Sequence, residues 1–171
     1  MASLKLAEIT ITMIAEYLQA NFVNALNQVW LDRPDKRSTM EAPVNYFIYD
    51  PTHAYRRPAI ILLCPNFDFR LSTGPNFINA LAKVNVEAVV QDRDKESLTI
   101  KTWRYQCAMV HMLDNLELTY PDGSVKIICK VISTPFSGDG AVEEREPGDA
   151  VGVFAKGVMV ELDVEHYEKK V

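Results

Sequence analysis

Two long stretches of the chain carry apolar residues at the three- and four-residue spacing of an α-helix. The first covers residues 4–30 and should end near residue 32, because Pro34 restricts the residue before it. The second follows a polar run at residues 91–96. Its apolar stripe steps by 4, 3, 4, 3 and 4 residues through Leu98, Thr102, Tyr105, Met109, Met112 and Leu116. Both patterns predict amphipathic helices that pack on a sheet.

The second helix has more apolar surface than one packed face requires. Ile100 and Trp103 lie off its main stripe. Such excess apolar surface is typical of a contact with another subunit. The alternative, that both side chains are simply half-exposed, stays open at this point.

Alternating apolar and polar residues predict strands between and after the helices. Pro65 lies inside one of them and indicates either a bulge or a sheet edge there. Residues 71–83 are ambiguous, with a turn at 72–75 and one or two helical turns at 77–82. The predicted strands are residues 46–49, 59–69, 84–90, 125–136 and 158–164.

This order of elements predicts a single α+β domain over residues 1–171. We expect a mostly antiparallel sheet of four to five strands, with two long helices packed on one face and long loops. The last two strands should form an antiparallel hairpin with an acidic tip.

Two polar stretches, residues 32–43 and 137–152, are predicted to be exposed loops that contact other molecules. The second contains five acids and one base. The candidate contact residues in these loops are Arg33, Lys36, Arg37, Glu143, Glu144, Arg145 and Glu146.

The formal net charge of −5 argues against a surface that binds duplex DNA, since such binding depends on lysine and arginine. The same negative charge is compatible with a protein through which DNA passes without adhering. The longest apolar run has six residues, at 59–64, which is too short to span a membrane. Without a readable secretory signal, and with three cysteines in apolar stretches, the chain is expected to be soluble and intracellular.

No motif for nucleotide binding, metal ligation or nucleophilic catalysis is present in the sequence. We therefore expect a protein that is not an enzyme and has no metal or cofactor. Glu161, Asp163 and Glu165 share one face of the last strand. That face has three interpretations: a solvated surface, the lining of a channel, or the carboxylate cluster of a small enzyme.

The order of elements resembles that of tail-terminator (tail-to-head joining) proteins of long-tailed bacteriophages. The matching features are the first helix, the aromatic strand at 46–49, a strand that begins after Pro58 with Ala59-Ile60-Ile61-Leu62, the strand and helix at 86–116, and the closing strand at 157–164. The resemblance covers most of the chain and rests on architecture, without a diagnostic motif.

This resemblance implies a virion structural protein, made in the host cytoplasm, that forms a hexameric ring at the head–tail junction. Its implied partners are further copies of itself, the tail tube protein and the head connector or stopper protein, and DNA would pass through without specific binding. No membrane is implied. The alternatives are another phage neck or connector protein, a tail-tube-like subunit, a small intracellular enzyme of unknown class, and a generic adaptor domain.

Overall fold

The computed structural model describes residues 6–32, 41–48, 57–70, 77–144 and 152–169, with the backbone alone at residues 6, 70 and 136–144. Within these ranges two helices and seven strands follow one another. They are α1 (Leu6–Asp32), β1 (Asn45–Phe47), β2 (Ala59–Arg70), β3 (Phe77–Asp92), α2 (Lys95–Leu113), β4 (Glu117–Thr119), β5 (Val125–Ser133), β6 (Phe136–Glu144) and β7 (Val153–Lys169).

All seven strands belong to one sheet, whose order is β1-β2-β3-β7-β5-β4. The long central strands β3 and β7 pair antiparallel, from Phe77 opposite Lys169 to Asp92 opposite Phe154. Strands β5 and β6 pair in turn with the two halves of β7, so β6 continues the sheet where β5 ends. The α+β class is confirmed, but the prediction of four to five strands is wrong. The sheet is also mixed, because β1 is parallel to β2 while the other pairs are antiparallel.

The alternation read from the sequence determines which sheet face is buried. Val84 lies opposite Leu162 and Val86 opposite Val160, and all four are buried against the helices. The intervening side chains of β3 and β7 point to the other face, because successive strand residues alternate. The predicted buried face and acidic face of the closing strand are confirmed.

Both helices contribute to one hydrophobic core. Helix α1 buries Ile14, Leu18, Phe22 and Leu26 completely. The Phe22 ring packs against Tyr105 of α2 with a centroid separation of 5.5 Å. Five of the six predicted stripe residues of α2 are buried, and the sixth, Leu116, lies just beyond its end.

Helix α2 begins where local chemistry caps it. The Asp94 carboxylate accepts a hydrogen bond from the Ser97 backbone N–H at 2.8 Å, which satisfies one of the unpaired amides of the first turn. Helix α2 therefore starts directly after the end of β3, and its position relative to the sheet is fixed there.

Two sequence interpretations are wrong. Residues 77–83 form the beginning of β3 instead of a helical turn, because pairing with β2 and β7 on both sides outweighs the local preference. Residues 137–144 of the predicted loop 137–152 belong to β6, which pairs through its backbone with β7. The bulge is confirmed, since the β2–β3 register shifts between Leu63 and Asn66 around Pro65.

Candidate assembly surfaces

Glu41, which lies inside the predicted loop 32–43, and Val153, which follows the predicted loop 137–152, meet beside the N-terminal half of α2. Glu41 follows residues 33–40, and Val153 follows residues 145–151. Both line a cavity of about 380 Å³. Its other lining residues are Gln91, Asp92, Arg93 and Lys101. The fold thus brings Glu41 and Val153 together at one end of the sheet.

Lys101 is the central polar group of this cavity. Its side chain is only 4% exposed, and its Nζ lies 2.7 Å from a carboxylate oxygen of Asp92 and 3.1 Å from one of Glu41. Removing a lysine ammonium from water is energetically costly, so a lysine is buried only when its charge is paired. Partial burial tends to raise the pKa of Asp92, but hydrogen bonds and charge from Lys101 and the backbone amides of Asp94 and Arg93 lower it overall.

Tyr105 provides a second attachment for Glu41. Its phenol donates a hydrogen bond to the Glu41 backbone carbonyl. Burial raises the pKa of Tyr105, and the nearby charges of Glu41 and Tyr46 raise it further, so the phenol stays a proton donor. Lys101 and Tyr105 together fix residue 41 against α2, and sequence analysis identified neither contact.

The predicted loop contact residues are distributed as follows. Glu143 and Glu144 lie on β6, where their backbones pair with Phe154 and Val153 of β7. The remaining predicted loop residues lie outside the described ranges. They are Arg33, Lys36, Arg37, Arg145 and Glu146.

Helix α2 carries a second apolar stripe on the side opposite its buried face. The stripe consists of Ile100, Trp103 and Cys107, which follow one another at steps of three and four residues. Trp103 is 56% exposed, Cys107 is exposed and Ile100 is half-buried, whereas Val110, the next apolar residue at this spacing, packs against the core. The sequence pointed to Ile100 and Trp103, and the structure adds Cys107, which is exposed.

Glu161, Asp163 and Glu165 do lie on the sheet face away from the helices, but their side chains have separate partners. Glu161 accepts a hydrogen bond from Ser133, Asp163 pairs with Lys83, and Glu165 accepts a hydrogen bond from Tyr167. Each carboxylate is therefore engaged individually, and the three do not converge on one point as a catalytic pair would.

Neighbouring strands add positive charge to the same face. Lys83 of β3 and Lys130 of β5 are the cross-strand neighbours of Asp163. Lys126, also on β5, pairs with Glu117 of β4 at 2.7 Å. The face is consequently a mixed-charge surface with an acidic row along its centre.

His166 is the most deeply buried titratable group of β7. Its side chain is fully buried, its Nδ1 lies 2.9 Å from the Thr10 hydroxyl of α1, and its Nε2 lies 3.6 Å from a Glu168 carboxylate oxygen. Burial lowers the pKa of His166 to about 4. Partial burial also raises the pKa of Glu168. The imidazole is therefore neutral at neutral pH and ties α1 to the sheet.

This burial predicts a pH dependence of stability. Between about pH 6.5 and 4 the unfolded chain binds a proton at His166 that the folded chain rejects, so stability falls as the pH falls. Compared with a His166→Gln variant, the wild type should lose about 2 kcal/mol more unfolding free energy between pH 7 and pH 5. Urea denaturation at the two pH values measures this difference.

His111, exposed on α2, supplies the control. A His111→Gln variant makes the same substitution at an exposed position and should change the unfolding free energy at pH 7 by less than about 0.5 kcal/mol. Equal slopes for wild type and His166→Gln would show that His166 does not carry this dependence.

A groove on another part of the surface lies between α1 and β4. Its volume is about 300 Å³. We call it the α1–β4 groove; its lining residues are Met13, Glu16, Tyr17, Leu118, Thr119, Tyr120 and Pro121. Most of these side chains are apolar or aromatic, while Glu16 and Thr119 supply hydrogen-bond acceptors. The sequence gives no direct sign of this groove, since its two walls lie about a hundred residues apart.

The described residues contain no cluster of three or more His, Cys, Asp or Glu side chains that is suited to a metal ion. Cys129 is buried, and burial raises its pKa to about 12. Neither described helix is both long and apolar enough to cross a membrane.

No protein-family model matches this chain, and no curated protein matches it.

Proposed function

We propose that this chain is a structural subunit that forms a closed ring at the head–tail junction of a bacteriophage virion. In this role it ends tail-tube polymerisation and joins the tail to the head connector. The observation that carries the proposal is the apolar stripe on the outer side of α2, with Trp103 more than half exposed. A helix that is apolar on two opposite sides is typical of one with a second packing partner.

The positions of Glu41 and Val153 support the same function. The segments at Glu41 and Val153 meet at one end of the sheet, and Lys101 and Tyr105 hold Glu41 in place. Because Glu41 is already held in place, less conformational entropy is lost when a neighbouring protein binds at this end of the sheet. We propose that this end contacts the neighbouring subunit, the tube or the connector.

The acidic row of β7 suits a surface that DNA passes. Glu161, Asp163 and Glu165 add negative charge to a sheet face that no described helix covers. Negative groups repel phosphates and keep a moving duplex from adhering. The lysines of neighbouring strands weaken this repulsion, so we expect weak repulsion and no specific DNA binding.

The same features also suit a related ring in the phage neck or a tail-tube-like subunit, because both assemble through neighbouring copies. The separate partners of the three carboxylates give the small-enzyme alternative less support. The position of the protein in an assembled particle distinguishes the structural alternatives from one another.

Electron microscopy of purified protein mixed with tail tubes tests this proposal. We expect rings with a central opening, and rings bound at one tip of each tube. Binding along the sides of tubes, or no binding to tubes, would contradict the terminator role.

A further inference from the structure

We propose that Trp103 of one subunit inserts into the α1–β4 groove of the next subunit. The inference rests on the proposed ring and identifies the surfaces that build it. The partner is a second copy of this chain, and the contact joins two different surfaces of the same fold.

The first support is chemical complementarity. Trp103 presents a large aromatic side chain that is 56% exposed, and the groove presents Met13, Tyr17 and Leu118 together with Tyr120, which is 42% exposed. Burying two such aromatic surfaces against each other removes both from water. Tryptophan and tyrosine dominate the binding energy of protein interfaces for this reason.

The second support is the hydrogen-bonding capacity of the groove. The indole N–H is a donor only and needs an acceptor when it is buried. Glu16 and Thr119 line the groove and are exposed, so their oxygens are accessible to an incoming donor. An apolar groove with acceptors at its rim matches an indole better than it matches a purely aliphatic side chain.

The third support is size. A volume of about 300 Å³ lies at the lower limit of small-molecule pockets, which accept one ring system of modest size. The other stripe residues, Ile100 and Cys107, would then pack on the surface around the groove. A single tryptophan buries too little area for a stable interface by itself, so these neighbours are part of the contact.

The location of the two surfaces is compatible with a ring, and the mass of the wild-type assembly distinguishes a ring from a two-fold dimer in which each Trp103 enters the other subunit's groove. Trp103 lies on the outer side of α2, whereas the groove is formed by α1, β4 and the turn that follows β4. A contact between two different surfaces is heterologous, and repeating it produces a ring when the rotation between subunits closes. A contact between the α2 stripes of two subunits would instead be two-fold symmetric and stop at a dimer.

Replacing Trp103 with alanine tests the first half of the contact. We expect the subunit interface to weaken at least about thirtyfold, as measured by mass photometry over a range of concentrations, because a central tryptophan typically contributes 2 kcal/mol or more. Phe69→Ala is the matched control, since Phe69 is 60% exposed and lies in neither surface. It should assemble as the wild type does, and circular dichroism should show that both variants are folded.

A mixing experiment tests the second half. Tyr120→Glu places a charge in the groove at an exposed turn position and should likewise prevent assembly at concentrations where Trp103→Ala stays monomeric. In a mixture, the intact Trp103 of the Tyr120→Glu variant can still enter the intact groove of the Trp103→Ala variant. We expect a one-to-one heterodimer that grows no further, because each of its free ends carries a defective surface.

The outcomes separate this inference from the proposed function. A wild-type chain that stays monomeric and does not bind tubes overturns the ring itself. A wild-type ring that survives Trp103→Ala overturns only the role of Trp103. If Tyr120→Glu forms dimers alone and the mixture forms no heterodimer, the contact is two-fold symmetric and the groove assignment is wrong.

Discussion

Replacing Phe22 with alanine is expected to lower the free energy of unfolding by about 4 kcal/mol. Phe22 is fully buried in α1, and its ring packs against Tyr105 of α2. Without the ring, the protein loses the free energy gained by burying it, and a cavity remains between the two helices. The surrounding core is closely packed and does not collapse to fill that cavity. Equilibrium denaturation in urea measures the change.

The adjacent residue of α1 provides the control. Val23 is 37% exposed, so Val23→Ala should change the unfolding free energy by less than about 1 kcal/mol. If both substitutions lowered the free energy of unfolding by the same amount, the α1–α2 contact would not be the core contact described above.

Replacing Lys101 with methionine is expected to cost about 3 kcal/mol of unfolding free energy. The methionine fills similar space, but Asp92, whose side chain is only 19% exposed, loses its cation, whereas the Glu41 side chain is 43% exposed and is solvated by water. Lys126→Met is the matched control, because Lys126 forms its pair with Glu117 at the same 2.7 Å distance on the exposed surface. That control should cost less than about 1 kcal/mol.

A second substitution shows whether the unpaired charge causes the loss. Adding Asp92→Asn to Lys101→Met should recover most of the stability, since the amide oxygen can still accept from the Asp94 N–H. A double variant as unstable as the single one would mean that lost packing, rather than an unpaired carboxylate, sets the cost.

The pH dependence of the Lys101 pair has a defined sign. The pKa of Asp92 is lowered in the folded state, so its contribution is present above the carboxyl pKa of the unfolded chain, about 3.9, and is lost as the pH falls through the folded pKa. The stability difference between wild type and Lys101→Met should therefore shrink below about pH 4.

The buried faces of the fold were predictable from local pattern. The alternation of Val84 and Val86 with polar residues identified β3, and the regular stripe from Leu98 to Met112 identified α2. Strand β6 has no such alternation in its sequence. Its backbone pairing with β7 holds it in the sheet. Its glycines and acids therefore favoured a loop when only the sequence was considered.

The candidate surfaces were only partly predictable. Trp103 departs from the main stripe of α2, and that departure indicated the second apolar side. The Lys101–Glu41 pair joins residues 60 positions apart. The two walls of the α1–β4 groove are similarly distant in sequence. Nothing in a local pattern reveals which distant residues the chain brings together, so these features required the three-dimensional structure.

Native mass spectrometry of the purified wild-type chain tests the central claim most directly. The claim is that two different apolar surfaces of this fold join copies of the chain into a closed ring. We expect one discrete mass of six subunits, without a ladder of larger species, and its loss in Trp103→Ala. A wild-type mass of one subunit, at concentrations where tail tubes are also left uncapped, would contradict the account.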